Sequence, residues 1–234
     1  MNLVVKQLKV STWSIDSAQL IQDRIDYVLA EKKQCSVMLT GGSSAEGVYK
    51  VWAKLPAFKK MSGVKFYFGD ERCVPPEHPE SNYGMAMRTL FGKGVPIGCS
   101  VLRMEAEEVD RESAALRYES LLPLKIDVLL LGVGEDGHIA SLYPGSSNLQ
   151  EKTRKVLPAK GDKPPVDRLT ILPSVITQAN AIFVLARGPV KAQVLVKVLS
   201  KIDDFDTIPA RLALKNATWL LDSPLLKENN EQFT

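Results

Sequence analysis

Ile21, Ile25, Val28 and Leu29 recur at spacings of three and four, while Asp23, Arg24 and Lys32 fall mostly elsewhere on the wheel. That period predicts an amphipathic helix over residues 16–33. The pattern then changes: Cys35-Ser-Val-Met-Leu-Thr40 is a short apolar run stopped by Gly41-Gly42, which predicts a strand. Ser43 or Ser44 is placed to cap a following helix that runs to about Leu55 and ends at Pro56. Residues 64–68 repeat the strand signal, residues 69–80 hold three prolines and read as a long loop, and Ser81 opens a helix through Phe91. A helix is predicted over 110–122. The runs 126–131 and 181–186 are nearly continuously apolar, as strands covered on both faces are. Pro189 suits the first turn of a helix over 189–199, and residues 217–221 close the regular structure. Residues 144–167, with the linker-like Gly161-Asp-Lys-Pro-Pro165, read as loop-rich.

Strands alternate with helices from end to end, which predicts an α/β fold: an open, mainly parallel twisted sheet with helices on both faces and right-handed crossovers, a Rossmann-like layered arrangement. Composition shifts nowhere enough to divide it, so residues 1–234 are expected to form a single α/β domain.

At 45% apolar and 24% charged residues, disorder, collagen and coiled coil are excluded. Thirty Lys plus Arg against 27 Asp plus Glu leave a formal charge of +3, too balanced for a protein that binds nucleic acid by releasing many counterions. Any bound anion is expected to be small and locally held. Cys35, Cys73 and Cys99 are odd in number and lack a C-x-x-C pair, so neither a disulfide framework nor a cysteine zinc site is expected and a reducing compartment fits. No apolar run approaches the roughly 20 residues of a membrane span, and Lys6 and Lys9 interrupt the first ten residues before a signal-peptide core forms. The expected address is cytoplasmic, which leaves the Asn216-Ala217-Thr218 acceptor without meaning, since glycosylation requires secretion.

In open α/β sheets ligands bind beyond the carboxyl ends of strands, so the residues directly after the apolar runs carry the information. Thr40-Gly41-Gly42-Ser43-Ser44 combines exposed amides with a helix N-terminus, which suits phosphate, and equally reads as a plain strand-to-helix turn. In Gly69-Asp70-Glu71-Arg72-Cys73-Val74-Pro75, Arg72 either clamps a phosphate by paired hydrogen bonds or pairs with Asp70 or Glu71. Gly132, Gly134 and Gly137 satisfy G-x-G-x-x-G, but Pro144-Gly145 interrupts the helix a dinucleotide fold needs, so that reading is rejected. What remains is a glycine turn presenting Asp136 and His138. The chain has two histidines, and imidazole is the side chain whose ordinary pKa, about 6.5, suits proton transfer near neutrality. His138 follows a strand, whereas His78 sits in a proline-rich loop and reads as solvated; so few histidines also make a histidine zinc site improbable. Late in the chain come Arg168-Leu-Thr-Ile171 and Arg187-Gly188-Pro189-Val190-Lys191, where Lys191 either meets an anion as a mobile point charge or is a solvated first-turn residue.

From about residue 39 to 222 these segments together resemble the 6-phosphogluconolactonase family. The resemblance rests on Thr40-Gly-Gly-Ser43, Phe68-Gly-Asp-Glu-Arg-Cys-Val-Pro75 with Ser81-Asn82-Tyr83, Leu131-Gly-Val-Gly-Glu-Asp-Gly-His-Ile-Ala-Ser-Leu-Tyr-Pro144, Arg168-Leu-Thr, Gly188-Pro-Val-Lys191 with Ala192, and Pro209-Ala210. It implies hydrolysis of 6-phosphoglucono-1,5-lactone, the second step of the oxidative pentose phosphate pathway, without metal or cofactor. The implied partner is that small sugar-phosphate lactone, with no nucleic acid or membrane, and a monomer is expected. By the same resemblance His138 is the catalytic histidine, Asp136 orients it, and Arg72 and Lys191 hold the 6-phosphate with the Gly42 and Ser43 backbone. Asp70 and Arg168 are secondary candidates. Physical chemistry agrees, because lactone hydrolysis needs a base for water, a held phosphate to orient the carbonyl and donors for the oxyanion. No G-x-S-x-G elbow of the serine-hydrolase kind is present.

Departures from the family pattern are Ser44-Ala45 where Thr-Pro is frequent, and Ile139 and Tyr143 where Thr and Phe are common. None removes a proposed catalytic group. Glucosamine-6-phosphate deaminases resemble the same segments, but carry a Glu five residues after the histidine, where this chain has Tyr143.

Overall fold

In the computed structural model, which describes residues 3–200 and 204–223, the apolar runs become strands covered on both sides. The strands are β1 (Val4–Gln7), β2 (Cys35–Leu39), β3 (Val64–Phe68), β4 (Asp70–Arg72), β5 (Ser100–Val101), β6 (Val128–Gly132), β7 (Val156–Lys160), β8 (Asp167–Ile171), β9 (Ile182–Ala186) and β10 (Ala217–Leu221). Seven of them form one sheet in the order β1-β10-β9-β6-β2-β3-β5, and every neighbouring pair in it is parallel. The helices are α1 (Trp13–Lys32), α2 (Ser43–Trp52), α3 (Pro56–Lys60), α4 (Asn82–Thr89), α5 (Arg111–Leu121), α6 (Pro173–Thr177) and α7 (Pro189–Ser200).

Strand alternation divides the core between the two faces. Along β6, Val128 and Leu130 join the cluster built on Trp13, Ile21 and Ile25 of α1, while Leu129 and Leu131 join the one containing Tyr118 of α5 and Leu195 of α7. Burial of each such side chain contributes about 1.5–3 kcal/mol, so both faces must be apolar, which is why this strand reads as an unbroken run.

Four sequence expectations are corrected. The stretch 69–80 is not loop throughout, because it begins with β4, and the loop-rich region 144–167 contains all of β7 and the start of β8. These three strands form a separate antiparallel sheet in the order β4-β8-β7. Pro158 lies within β7, on the edge of that sheet, where a missing N–H is tolerated. Helix α2 stops at Trp52, and Pro56 opens α3 at its first turn, with Leu55 extended as a residue before proline prefers. At the N-terminus β1, for which no strand was expected, lines up with β10, Val4 opposite Thr218.

Two buried phenols fix the strand ends that turn into the site. Tyr49 of α2 accepts from the Thr40 amide (3.0 Å) and donates to the Thr40 carbonyl (2.9 Å). Tyr118 of α5 does the same at Phe68, with 2.7 and 3.0 Å. A backbone unit leaving the ladder is thereby paired without water.

Candidate active site

The sheet order reverses between β2 and β6, since the chain runs outward from β2 to β3 and β5 and then returns to β6 on the other side. Beyond the carboxyl ends of these strands, the Gly132 amide donates to Thr40 Oγ1 (3.1 Å), and a cleft of about 200 Å³ opens. Its walls bring together Gly42, Ser43, Asp70, Arg72, His138, Arg168 and Lys191, residues spread over five segments of the sequence. Of the expected site residues, Asp136 alone stands behind the lining, against His138.

His138 Nδ1 lies 2.6 Å from Asp136 Oδ1, which also accepts from the His138 amide at 3.2 Å. A carboxylate partner selects the tautomer with its proton on Nδ1 and leaves the Nε2 lone pair free to accept. The turn that permits this needs a residue without a side chain at Gly134, because a Cβ there would stand 2.1 Å from Nδ1 and 2.4 Å from Oδ1. Ile139 bridges to Leu142, folding the next residues back so that Ser141 and Tyr143 also line the cleft.

The cationic side is built from three segments. Arg168 is the most enclosed, 5% exposed; its Nη2 donates to the Lys163 carbonyl (3.2 Å), but Nε and Nη1 are buried without an acceptor among the described residues. Burial, reinforced by the neighbouring Arg72 charge and only partly opposed by Asp70, lowers the pKa of its guanidinium. Arg72 turns Nη1 to the carbonyl of Glu80 and to its carboxylate (3.3 Å), not to Asp70 or Glu71. The Lys191 ammonium has no hydrogen bond or ion pair among the described residues; burial pulls its pKa below the usual lysine range, against Glu135 and Asp136. Gly42 is the N-cap of α2 and brings no side-chain cap, so the first amides of that helix remain available to an anion.

The two carboxylates after β3 part company. Asp70 lines the cleft with Oδ1 accepting from Asn82 Nδ2 (3.1 Å) and Oδ2 from Ser141 Oγ (2.7 Å). Glu71 is 3% exposed and accepts from the amides of Arg72, Asn82 and Tyr83 and from Ser81 Oγ, which makes it an anchor for the start of α4. Burial pushes its carboxyl up against the pull of those four bonds. His78 is exposed, accepts at Nδ1 from the Glu80 amide (3.1 Å) and is absent from the cleft wall. Asn82, Ser141 and Tyr143 are lining residues to which the sequence reading gave no role. The available signal was their place, Asn82 at a predicted helix start and the other two just after His138. Among the described residues no group of three or more His, Cys, Asp or Glu side chains is placed to hold a metal ion, and no helix is long and apolar enough to cross a membrane.

A parallel sheet with a histidine–carboxylate pair and a basic wall at its reversal point defines an α/β protein with a cleft suited to a small anion. The chain belongs to the family described as glucosamine-6-phosphate isomerases/6-phosphogluconolactonase, whose sequence model matches residues 11–221. It is 32% identical over 218 residues to a rice chain (Oryza sativa subsp. indica) named "Probable 6-phosphogluconolactonase 4, chloroplastic", covering 83% of this chain and 67% of that one. To 6-phosphogluconolactonase 3 of Saccharomyces cerevisiae it is 30% identical over 201 residues, covering 80% of each. Among solved structures, 6-phosphogluconolactonase from Trypanosoma brucei superposes with a TM-score of 0.81 at 28% identity, covering 94% of this chain and 96% of that one.

Proposed function

We propose that this chain hydrolyses 6-phospho-D-glucono-1,5-lactone to 6-phospho-D-gluconate, as a cytoplasmic enzyme of the oxidative pentose phosphate pathway. The observation that carries the reading is the shared cleft: a base with one free ring nitrogen faces the same small volume as Arg72, Arg168 and Lys191. The named relatives support the same chemistry.

His138 Nε2 takes a proton from water as the water oxygen adds to the lactone carbonyl carbon. When the bond from that carbon to the ring oxygen breaks, the imidazolium returns the proton to the departing oxygen, which becomes the sugar hydroxyl. Asp136 keeps the ring oriented and stabilises its transient positive charge, as a buried acid does for a catalytic histidine elsewhere. The phosphate is held by Arg168, Arg72, Lys191 and the Gly42 and Ser43 backbone, which turns a collision with the base into a positioned encounter. Asp70 orders the wall through Asn82 and Ser141.

Acid release from the phosphorylated lactone, against ammonia release from glucosamine 6-phosphate, tests the assignment. Acidification without ammonia is expected, because Tyr143 cannot supply the acid that deamination uses at that place. Ammonia release would replace this reading with the deaminase one.

Gly134→Ala gives a geometric check. The added methyl must displace either the imidazole or the carboxylate, and misplacement of a catalytic group by about 1 Å costs about 10²-fold. Steady-state kinetics should show kcat reduced by about that factor with KM within threefold of wild type. A kcat near wild type would mean the pair at 2.6 Å is dispensable.

A further inference from the structure

Tyr143 lines the cleft, and the proposed mechanism gives it no part. Its ring packs on the His138 imidazole, with centroids 4.5 Å apart and planes inclined by 36°. The side chain is half-buried and lines the cleft, yet its hydroxyl makes no hydrogen bond among the described residues. Gly161 locates that hydroxyl. A Cβ built on Gly161 would stand 3.1 Å from Tyr143 Oη, 3.1 Å from Arg168 Nε and 3.4 Å from Arg168 Nη2. The phenol and the guanidinium therefore converge on one bare stretch of backbone just past the end of β7, and Arg168 is tied to the same turn through the Lys163 carbonyl.

The cleft wall here combines a guanidinium whose Nε and Nη1 lack acceptors with a hydroxyl that has no partner, both among the described residues. Burial raises the Tyr143 phenol above its usual range while Arg168 opposes, so near neutrality the hydroxyl keeps its proton and can donate. Hydrogen bonds to a charged acceptor are the stronger kind. The other end of the same side chain is the face against which the base rests.

We propose that Tyr143 is a substrate-binding and positioning residue: its hydroxyl donates to the phosphate beside Arg168, while its ring backs His138. One rigid aromatic side chain thus sets the distance between the held end of the substrate and the proton acceptor. The inference rests on the lactonase reading and extends it to a contact that separates phosphorylated from unphosphorylated lactones.

The test compares wild type, Tyr143→Phe, Tyr143→Leu and Gly161→Ala on 6-phosphoglucono-1,5-lactone and on glucono-1,5-lactone, which lacks the phosphate. Tyr143→Phe keeps the ring and should raise KM for the phosphorylated substrate about fivefold or more. Its kcat should stay within twofold, with no change on the unphosphorylated one. Tyr143→Leu, which removes the ring, should in addition lower kcat on both. Gly161→Ala, whose methyl crowds the hydroxyl and the guanidinium at 3.1 Å without altering either side chain, should raise KM for the phosphorylated lactone alone. A Tyr143→Phe enzyme with unchanged KM, or with equal increases on the two lactones, overturns this proposal and leaves the lactonase assignment standing. A wild-type protein that opens neither lactone overturns both.

Discussion

His138→Ala is expected to lower kcat for lactone hydrolysis by about 10²- to 10⁴-fold, the span a positioned general base supplies, while affinity for 6-phosphogluconate stays near wild type. In the proposed mechanism the imidazole takes a proton from water, whereas the phosphate is held by cations on β4, β8 and α7, so removing the ring should leave binding intact. The side chain is roughly a quarter exposed, and its contacts are to Asp136 and Tyr143. Truncation therefore opens space at the cleft wall and leaves the core packing untouched. Stopped-flow proton release gives kcat, and calorimetric titration with the product gives affinity. Equal losses in both would show that the histidine holds the wall together and moves no proton.

Replacement of Arg168 by methionine should move stability and function in opposite directions. Arg168 is 5% exposed, its Nε and Nη1 lack acceptors among the described residues, and burial beside Arg72 already disfavours its charge. Exchanging a poorly compensated buried charge for an apolar side chain of similar length is commonly neutral or stabilising. The Lys163 carbonyl that loses its donor lies on an exposed turn and can turn to water. An increase of about 2–4 °C in the Tm of the unliganded protein is expected, which for a chain of this size corresponds to about 1 kcal/mol. The same variant should raise KM about 10- to 100-fold, the equivalent of hydrogen bonds to a charged group, and should lose the stabilisation that bound 6-phosphogluconate gives the wild type. A lowered Tm with KM unchanged would make Arg168 a structural residue of the β4-β8-β7 sheet.

Sequence alone weighs the cations by their place after strands, whereas the structure adds how far each is enclosed. Arg72 and Lys191 follow strands directly and stand out as clamp candidates, and both line the cleft. Arg168 lies inside a strand that local pattern does not announce. Its enclosure depends on residues from two other segments, the turn at Lys163 and Gly161 and the side chain of Tyr143. Glu71 shows the converse. Its place beside Asp70 leaves open whether it faces the site or the surface, and four donors from its neighbours and α4 hold it buried outside the cleft wall.

The amino-acid sequence by itself determined the parallel sheet and the turns at its carboxyl ends, because strands such as β6 and β9 must be apolar on both faces and the glycines that follow them leave no alternative to a turn. It also placed Asp136 and His138 two residues apart on a glycine turn, while their contact at 2.6 Å and the room for it at Gly134 are seen only in the fold. Only the tertiary structure decided β1, β4, β7 and β8. Each is short, polar on one side or interrupted by proline; β1 and β4 are paired with strands far along the chain, as Val4 is opposite Thr218 and Asp70 opposite Thr170, and β7, broken by Pro158, pairs across a short turn with β8 alone. Only the tertiary structure, likewise, decided which cation is stripped of water. Periodicity is a property of neighbours in sequence, whereas desolvation of a charge is set by whichever distant segments close over it.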